Sequence, residues 1–377
     1  MKIVHICTNN PYIDGWGYQE NLLPLYLSKE GIESVVIASN KLPKDFLNGK
    51  VYPLGEYYLD GVKVIRIRCT KIKTSLTFTH GLYKTLQKEK PDIIFHHNPN
   101  FTSLVLCSIY CQRNNIKMLV DNHADLINCN KNKLYQLIYY RFMVGGITNL
   151  FQKPIYKYYG VTHSRCDFLA NNFGVSKNKI DFLPIGVDVD TVSTLSCKEK
   201  IRKKYKFYPD DIIVISGGKM GKGKGTPELI KCIHSLHKKN KKIKLLLFGK
   251  FEDKETENMT QHMDFITIEG WCDRIKTLEL IKMSDLACWP IHHTTLCEDA
   301  VACKTPLLLR KTKTTEHLIE GNGFFMKNGN YEELYNYISQ FINLKEEEKK
   351  QIEYYSQIMY DRLSYHAIAK QVIKDSK

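Results

Sequence analysis

Short apolar runs separated by stretches of helical spacing recur from one end of the chain to the other. That alternation is the pattern of a parallel sheet covered by helices on both faces. In the first half the runs Lys2–Cys7, Ser34–Ala38, Asp92–His97, Lys117–Asn122, Tyr159–His163 and Lys179–Pro184 predict strands. Asp60-Gly61, between Tyr57-Tyr58-Leu59 and Val62–Ile67, predicts a tight hairpin. Helices are expected between these runs, for example over Gln19–Lys29 and Thr74–Lys88. The pattern then restarts, with strands at Asp211–Ser216, Ile243–Phe248, Phe265–Glu269, Asp285–Trp289, Pro306–Arg310 and Phe324–Lys327. Helices are expected over Thr226–His237, Arg274–Met283, Thr314–Glu320 and Tyr331–Phe341. The polar stretch Gly186–Tyr208 has no strand pattern and is the expected linker. The reading is therefore α/β, with two doubly wound, Rossmann-like domains at 1–186 and 187–360. A last helix, 361–377, is expected to return to the first domain. Paired domains of this kind bind ligands in the cleft they face, at the carboxyl ends of their strands.

Composition narrows the class. A chain of 377 residues, 43% hydrophobic and 25% charged, suits two globular domains. No apolar run approaches the roughly 18 residues of a membrane span, and no signal peptide is recognisable at the N-terminus. Twelve cysteines scattered singly fit reduced thiols, and hence a cytoplasmic location. The net charge of +15 is uneven, because residues 1–185 hold 23 Lys and Arg against 13 Asp and Glu. Such a surplus suits a negatively charged partner or a plain solvated surface. Residues 131–158 interleave Lys131, Lys133, Arg141, Lys153 and Lys157 with Tyr135, Tyr139, Tyr140, Phe142, Phe151 and Tyr156. Helices so built either cover the first sheet or lie on an anionic membrane surface, which would place the protein on the inner face of the cell membrane. No nucleic-acid-binding motif is present, so nucleic acid is not an expected partner.

The densest candidate chemistry is Gly217-Gly218-Lys219-Met220-Gly221-Lys222-Gly223-Lys224-Gly225-Thr226-Pro227, which follows a strand and opens a helix. Glycines allow close approach, helix-terminal amides favour an anion, and lysines add charge, so a diphosphate is the natural guest. Gly218 to Lys224 also fits the start of a P-loop, but Gly225 stands where Ser or Thr should reach Mg²⁺. Gly15 and Gly17, after the first strand, are candidate substrate contacts or an ordinary turn. His123 and Asp125 lie at a strand end, where ligand-facing residues occur. Glu298 and Asp299 open a helix and can accept hydrogen bonds from hydroxyl groups, whereas Cys288, His292, His293 and Cys297 lack the spacing of a zinc site. Asp188-Val189-Asp190 reads as turn and helix-capping chemistry rather than a metal site.

In order, these motifs resemble, from end to end, the retaining nucleotide-sugar glycosyltransferases called group 1 or family 4, which have the GT-B fold. Gly218-Lys219-Met220 with Lys224-Gly225 stands where that family has G-R-L and K-G. Asp299-Ala300-Val301-Ala302-Cys303-Lys304-Thr305-Pro306 is similar to E-A-M-A-C-G-x-P, and Phe182–Asp188 is similar to I-P-N-G-V-D. Asn122-His123-Ala124-Asp125 resembles the family's H-D element, and Glu316 matches a common position. The loop after Pro290 is shorter than the family's, so His293 falls where the first of two glutamates would stand, and either Glu298 or Asp299 replaces the second.

The resemblance implies hexosyl or N-acetylhexosaminyl transfer from a nucleotide sugar to an acceptor, with retention and no metal or other cofactor. The acceptor it suggests is a lipid-linked or growing surface glycan, as in polysaccharide biosynthesis. Lys219, Lys224, His123 and Glu298 would be catalytic. Gly15, Gly17, Asp125, Gly218, His293, Asp299 and Glu316 would bind substrate. A non-catalytic partner subunit, a nucleotide-sugar epimerase and a P-loop hydrolase are the alternatives.

Overall fold

The computed structural model describes residues 1–73, 76–99, 101–125 and 132–377. The chain divides into two compact units, Met1–Ile185 with Tyr365–Lys377, and Gly186–Ser364. Strands are β1 Lys2–Cys7, β2 Glu33–Ser39, β3 Gly55–Leu59, β4 Val62–Ile67, β5 Cys69–Lys73, β6 Leu76–Thr79, β7 Ile93–His97, β8 Lys117–Asn122, β9 Ile155–Gly160 and β10 Ile180–Phe182 in the first unit. The second unit has β11 Ile212–Met220, β12 Ile243–Phe251, β13 Ile266–Glu269, β14 Leu286–Trp289, β15 Leu307–Arg310 and β16 Gly323–Met326.

The first sheet runs β10-β9-β8-β7-β1-β2-β4-β3, parallel except for β3. Asp60 and Gly61, with φ of 50° and 83°, turn β3 into β4 as the hairpin signal predicts. Apolar residues on both sides of each central strand are buried, as a parallel sheet covered on two faces requires. The last helix, Tyr365–Ser376, packs on Gln19–Lys29, with Tyr26 stacked on Tyr365 at 5.3 Å and His366 bonded to Glu30 at 2.7 Å.

The second sheet runs β13-β12-β11-β14-β15-β16, all parallel. Chain order reverses between β11 and β14 here, and between β1 and β7 in the first sheet. At such a switch point the connections leave in opposite directions and open a crevice at the carboxyl ends of the strands.

Three expectations need correction. Cys69–Lys73 pairs with Leu76–Thr79 as the antiparallel strands β5 and β6 where a helix from Thr74 is expected; the helix is Leu82–Glu89, and Thr74 lies outside the described residues. Thr314–Glu320 is a series of turns, not a helix. The hydroxyls of Thr312, Thr314 and Thr315 bond one another, and Thr315 donates to the Arg310 carbonyl, competing with helical bonding. The expected linker folds into helices Val189–Thr194 and Lys198–Lys204. The second is anchored by Arg202, whose guanidinium meets Asp285 at 2.6 Å and the Met283 carbonyl at 2.9 Å.

Candidate active site

At the switch point of the second unit a cavity of about 180 Å³ is lined by Lys219, Lys224, Trp289, His292, His293 and Thr294, among others. β11 runs on past Ser216 to Met220 because Gly217 to Met220 pair with Phe248 to Phe251 of β12. Lys219 is thus held on a strand rather than in a loop. Gly218 has φ of 91°, and Gly249 has φ of 107° with an added Cβ only 2.2 Å from the Gly218 carbonyl oxygen, so the two backbones fit only as glycines. Lys222–Lys224 form a 3₁₀ turn, and Gly225, with φ of 75°, leads into Thr226–Lys239. The Thr226 hydroxyl accepts from the Gly221 N–H at 3.1 Å, fixing the entry to that helix.

The lysines of this turn differ. Lys222 points to Glu255 at 2.5 Å. Lys219 and Lys224 have no ionic partner among the described residues, and no carboxylate is among those lining the cavity. Burial, then the charges of Lys224 and Arg310, lower the His292 pKa. Two unpaired ammonium groups, a helix start and a neutral imidazole make a site for a multiply charged anion.

Beside it, His293 Nε2 meets Glu298 Oε1 at 2.8 Å. Burial pushes the Glu298 carboxyl up, but His293 and then His317 outweigh it and hold the group below its usual range. Glu298 Oε2 is buried with no hydrogen-bond partner among the described residues. Asp299 points elsewhere, to Arg274 at 2.5 Å, and Arg274 also reaches Asp188 at 3.5 Å. Burial raises the Asp299 pKa, and Arg274 opposes it only in part.

At the switch point of the first unit the ends of β1, β7 and β8 hold a buried polar network. Asp121 Oδ2 lies 2.8 Å from His97 Nδ1 and 3.2 Å from His123 Nε2, and Asp121 Oδ1 accepts from the Asn98 N–H at 2.9 Å. His97 Nε2 is 3.2 Å from His5 Nδ1. Asn98, at φ of 60°, accepts from the His123 N–H and donates to Asn10, each at 2.8 Å, tying three strand ends together. Burial would raise Asp121, but the two histidines drive it well below the carboxylate range. Burial would lower His123, but Asp121 and then Glu20 leave it raised. Glu20, His97 and His123 each present a ligand atom within 4.8 Å of the others, a spacing a metal ion could use. Each is already hydrogen-bonded: Glu20 to Asn10, His97 to His5 and Asp121, His123 to Asp121. The cluster is satisfied without an ion.

The chain matches the family described as Glycosyl transferases group 1 over residues 197–358, and Glycosyltransferase Family 4 over residues 25–191. The chain belongs to the group 1 glycosyltransferases. No curated protein matches it in sequence. Among solved structures it resembles a glycosyltransferase from Rickettsia africae (16% identity, 100% of this chain and 97% of the other, TM-score 0.72). It also resembles HepE from Anabaena in complex with UDP (16% identity, 99% of each chain, TM-score 0.70). A third is sucrose-phosphate synthase from Thermosynechococcus elongatus (15% identity, 99% and 97%, TM-score 0.68). These likenesses give the glycosyltransferase the GT-B fold of two Rossmann-like units.

Of the residues singled out in the sequence, Lys219, Lys224 and His293 line the second-unit cavity, and Glu298 adjoins it through His293. Gly218 shapes β11, and Asp299 is engaged by Arg274. Glu316 lies half-buried on the threonine-held turn and is not among the residues lining the cavity. His123 joins the Asp121 network, while Asp125 is buried 3.5 Å from Arg165. Gly15 has φ of 79°, as the turn at Asp14-Gly15 requires, and Asp14 itself meets Arg66 at 2.7 Å; Gly17 lies just beyond that turn, before the helix Gln19–Lys29. Asp188 caps Val189–Thr194, accepting from the Thr191 N–H. Sequence reasoning missed His5, Glu20, His97, Asp121 and His317. The only signal for His97 and Asp121 was a polar residue at the end of an apolar run.

Proposed function

We propose that this glycosyltransferase takes a nucleoside diphosphate sugar, retains the anomeric configuration, and delivers the sugar to a glycan acceptor without a metal ion. The observation that carries this reading is the pair of unpaired lysines, Lys219 and Lys224, in a cavity whose described lining includes no carboxylate. A divalent cation is ordinarily held by oxygen ligands, chiefly carboxylates. Here two ammonium groups and the amides opening Thr226–Lys239 would neutralise the diphosphate instead. As the bond from sugar to phosphate breaks, negative charge grows on the leaving diphosphate, and preorganised positive groups stabilise it where it develops. The binding of UDP by Anabaena HepE supports such a guest.

Glu298 is assigned to hydrogen bonds with sugar or ribose hydroxyls, with His293 its support. His123 is assigned the role of a hydrogen-bond donor, its pKa raised by the Asp121 charge. The acceptor is assigned to the lipid-linked or surface-glycan class on the strength of the basic first unit and the exposed apolar side chains Leu134, Leu137, Ile138, Phe142 and Leu150.

The test compares two neighbouring lysines. Lys224→Ala should lower turnover at least about 100-fold, roughly 3 kcal/mol on the barrier. Lys222→Ala, whose side chain is turned to Glu255, should stay within about threefold of wild type, since exposed ion pairs contribute little. Equal losses would refute the clamp. A chelator such as EDTA should leave the rate unchanged, and an abolished rate would overturn the metal-free reading.

A further inference from the structure

The network at the ends of β1, β7 and β8 joins three imidazoles to one carboxylate, and each ring must carry its protons on particular nitrogens. His97 and Asp121 are register partners on β7 and β8, and His5 of β1 meets His97 from the other side. His5, His97 and Asp121 are closed to solvent, whereas the His123 side chain stays 21% exposed.

Burial would raise Asp121, but the two histidines outweigh it, so the carboxylate is ionised and every nitrogen facing it must donate. Asp121 Oδ2 therefore receives His97 Nδ1–H at 2.8 Å and His123 Nε2–H at 3.2 Å. His97 Nε2 and His5 Nδ1 stand 3.2 Å apart and share one proton. Were that proton on His97, the ring would be a buried cation, and neutral His5 would carry its own proton on Nε2. His5 Nε2 is buried with no hydrogen-bond partner among the described residues, so an N–H there would be orphaned. With the proton on His5 Nδ1 instead, Nε2 is bare and no buried donor is left over. Burial, followed by the neighbouring His97, also lowers the His5 pKa, which keeps that ring neutral. The positive charge that Asp121 attracts then belongs to His123, the ring of the three with access to water. Around His123, burial and Arg165 oppose the proton, while Asp121 and Glu20 favour it and prevail. His123 Nδ1 has no hydrogen-bond partner among the described residues.

We infer that the network holds a single proton order: His5 Nδ1–H to His97 Nε2, and His97 Nδ1–H and His123 Nε2–H to Asp121, which leaves His123 Nδ1–H as the exchangeable donor at the strand ends. His5 and His97 are positioning residues that act through Asp121. The His97 hydrogen bond also takes up part of the Asp121 charge and so moderates its pull on His123. That His123 Nδ1–H donates to a substrate rests on the glycosyltransferase reading; the proton order does not.

The experiment reads the ring nitrogens by NMR in protein made with isotope-labelled histidine, with EDTA present so that no metal sets the tautomers. Signals are assigned by their loss in His5→Gln, His97→Asn and His123→Gln. At about pH 7, His5 and His97 should each show a bare Nε2 and a protonated Nδ1, and His123 a protonated Nε2. On raising the pH, the His123 nitrogen that loses its proton should be Nδ1. His97→Leu removes a donor from Asp121 and should raise the His123 titration by at least about half a unit, whereas His97→Asn, whose amide can donate from near the place of Nδ1, should return it toward wild type. A role in packing alone would lower the melting temperature of both variants and move the titration in neither. A protonated Nε2 on His97, or a bare Nε2 on His123, overturns the proton order, and an unmoved titration in folded His97→Leu overturns the positioning role. Expected tautomers with wild-type transfer by His123→Gln would remove His123 from the reaction and leave the proton order standing.

Discussion

Asp121 lies at the centre of the polar network at the ends of β1, β7 and β8, and its influence falls on His123. Its carboxylate faces His97 and His123 and takes the Asn98 N–H, in a place without exposure to solvent. Burial alone would keep His123 neutral, and the Asp121 charge reverses that. His123 therefore stays protonated to higher pH than an ordinary histidine, and activity that needs the protonated ring should fall on the alkaline side. Asp121→Asn removes the charge that raises His123 and leaves burial, which lowers it. The alkaline limb of the rate profile should then move to lower pH by at least about one unit. An unmoved limb would show that another group sets it. His123 was legible in the sequence because it directly follows the predicted strand Lys117–Asn122. Asp121 and His97 were not, because a polar residue inside a parallel strand shows its partners only when neighbouring strands are in register. The choice between Glu298 and Asp299 was equally hidden. Adjacent on one helix, they diverge, and only the positions of His293 and Arg274 separate their surroundings.

At the scale of elements, the position of Lys219 depends on how far β11 extends. Its last four residues pair with β12, and that pairing requires Gly249 to pass against Gly218 at a distance no side chain allows. Gly249→Ala combines a left-handed backbone with a backbone collision, which should cost about 2–4 kcal/mol. The end of the ladder should yield before the rest of the sheet. The expected result is a lower melting temperature together with weaker nucleotide binding, read by titrating UDP. A variant with unchanged affinity would mean that Lys219 is positioned from elsewhere. Most strands were legible to within a residue or two, since both sheets bury continuous apolar runs such as Val35–Ala38 and Leu245–Phe248. The β5–β6 pair was not, because its two strands are short, partly polar and, among the described residues, paired only with each other. The turns at Thr312–Thr315 failed for a different reason: threonine hydroxyls bonding locally carry no periodic signal. The β11 extension was hidden by its glycines, which read as a loop and are used as strand.

At the scale of the molecule, the surplus positive charge of residues 1–185 coincides with an uncovered apolar surface. Lys133–Tyr135, Gln136–Val144 and Gly145–Leu150 form successive helical segments, the middle one with π-type bonding. Tyr139 and Tyr140 turn inward, Tyr140 meeting Phe168 edge-on at 5.5 Å. Leu134, Leu137, Ile138, Phe142 and Leu150 stay 49% to 74% exposed. Lys133, Arg141 and Lys153 are exposed on the same stretch, and Lys131 lies outside the described residues. One set of side chains thus covers the sheet and another faces out. No helix among the described residues is long and apolar enough to cross a membrane. Apolar insertion and basic charge are separate signals that together hold a protein on an anionic surface, each basic residue contributing about 1 kcal/mol. The protein should therefore sediment with phosphatidylserine-containing vesicles at low salt and be released as salt screens the charge. Phe142→Glu with Leu137→Glu adds charge without touching a buried residue, and should reduce that binding at least about tenfold, since burying one large apolar side chain yields about 1.5–3 kcal/mol. Binding by the double variant equal to wild type would show that charge alone attracts the vesicle. Binding to neutral vesicles as strong as to anionic ones would leave the basic residues without a role there.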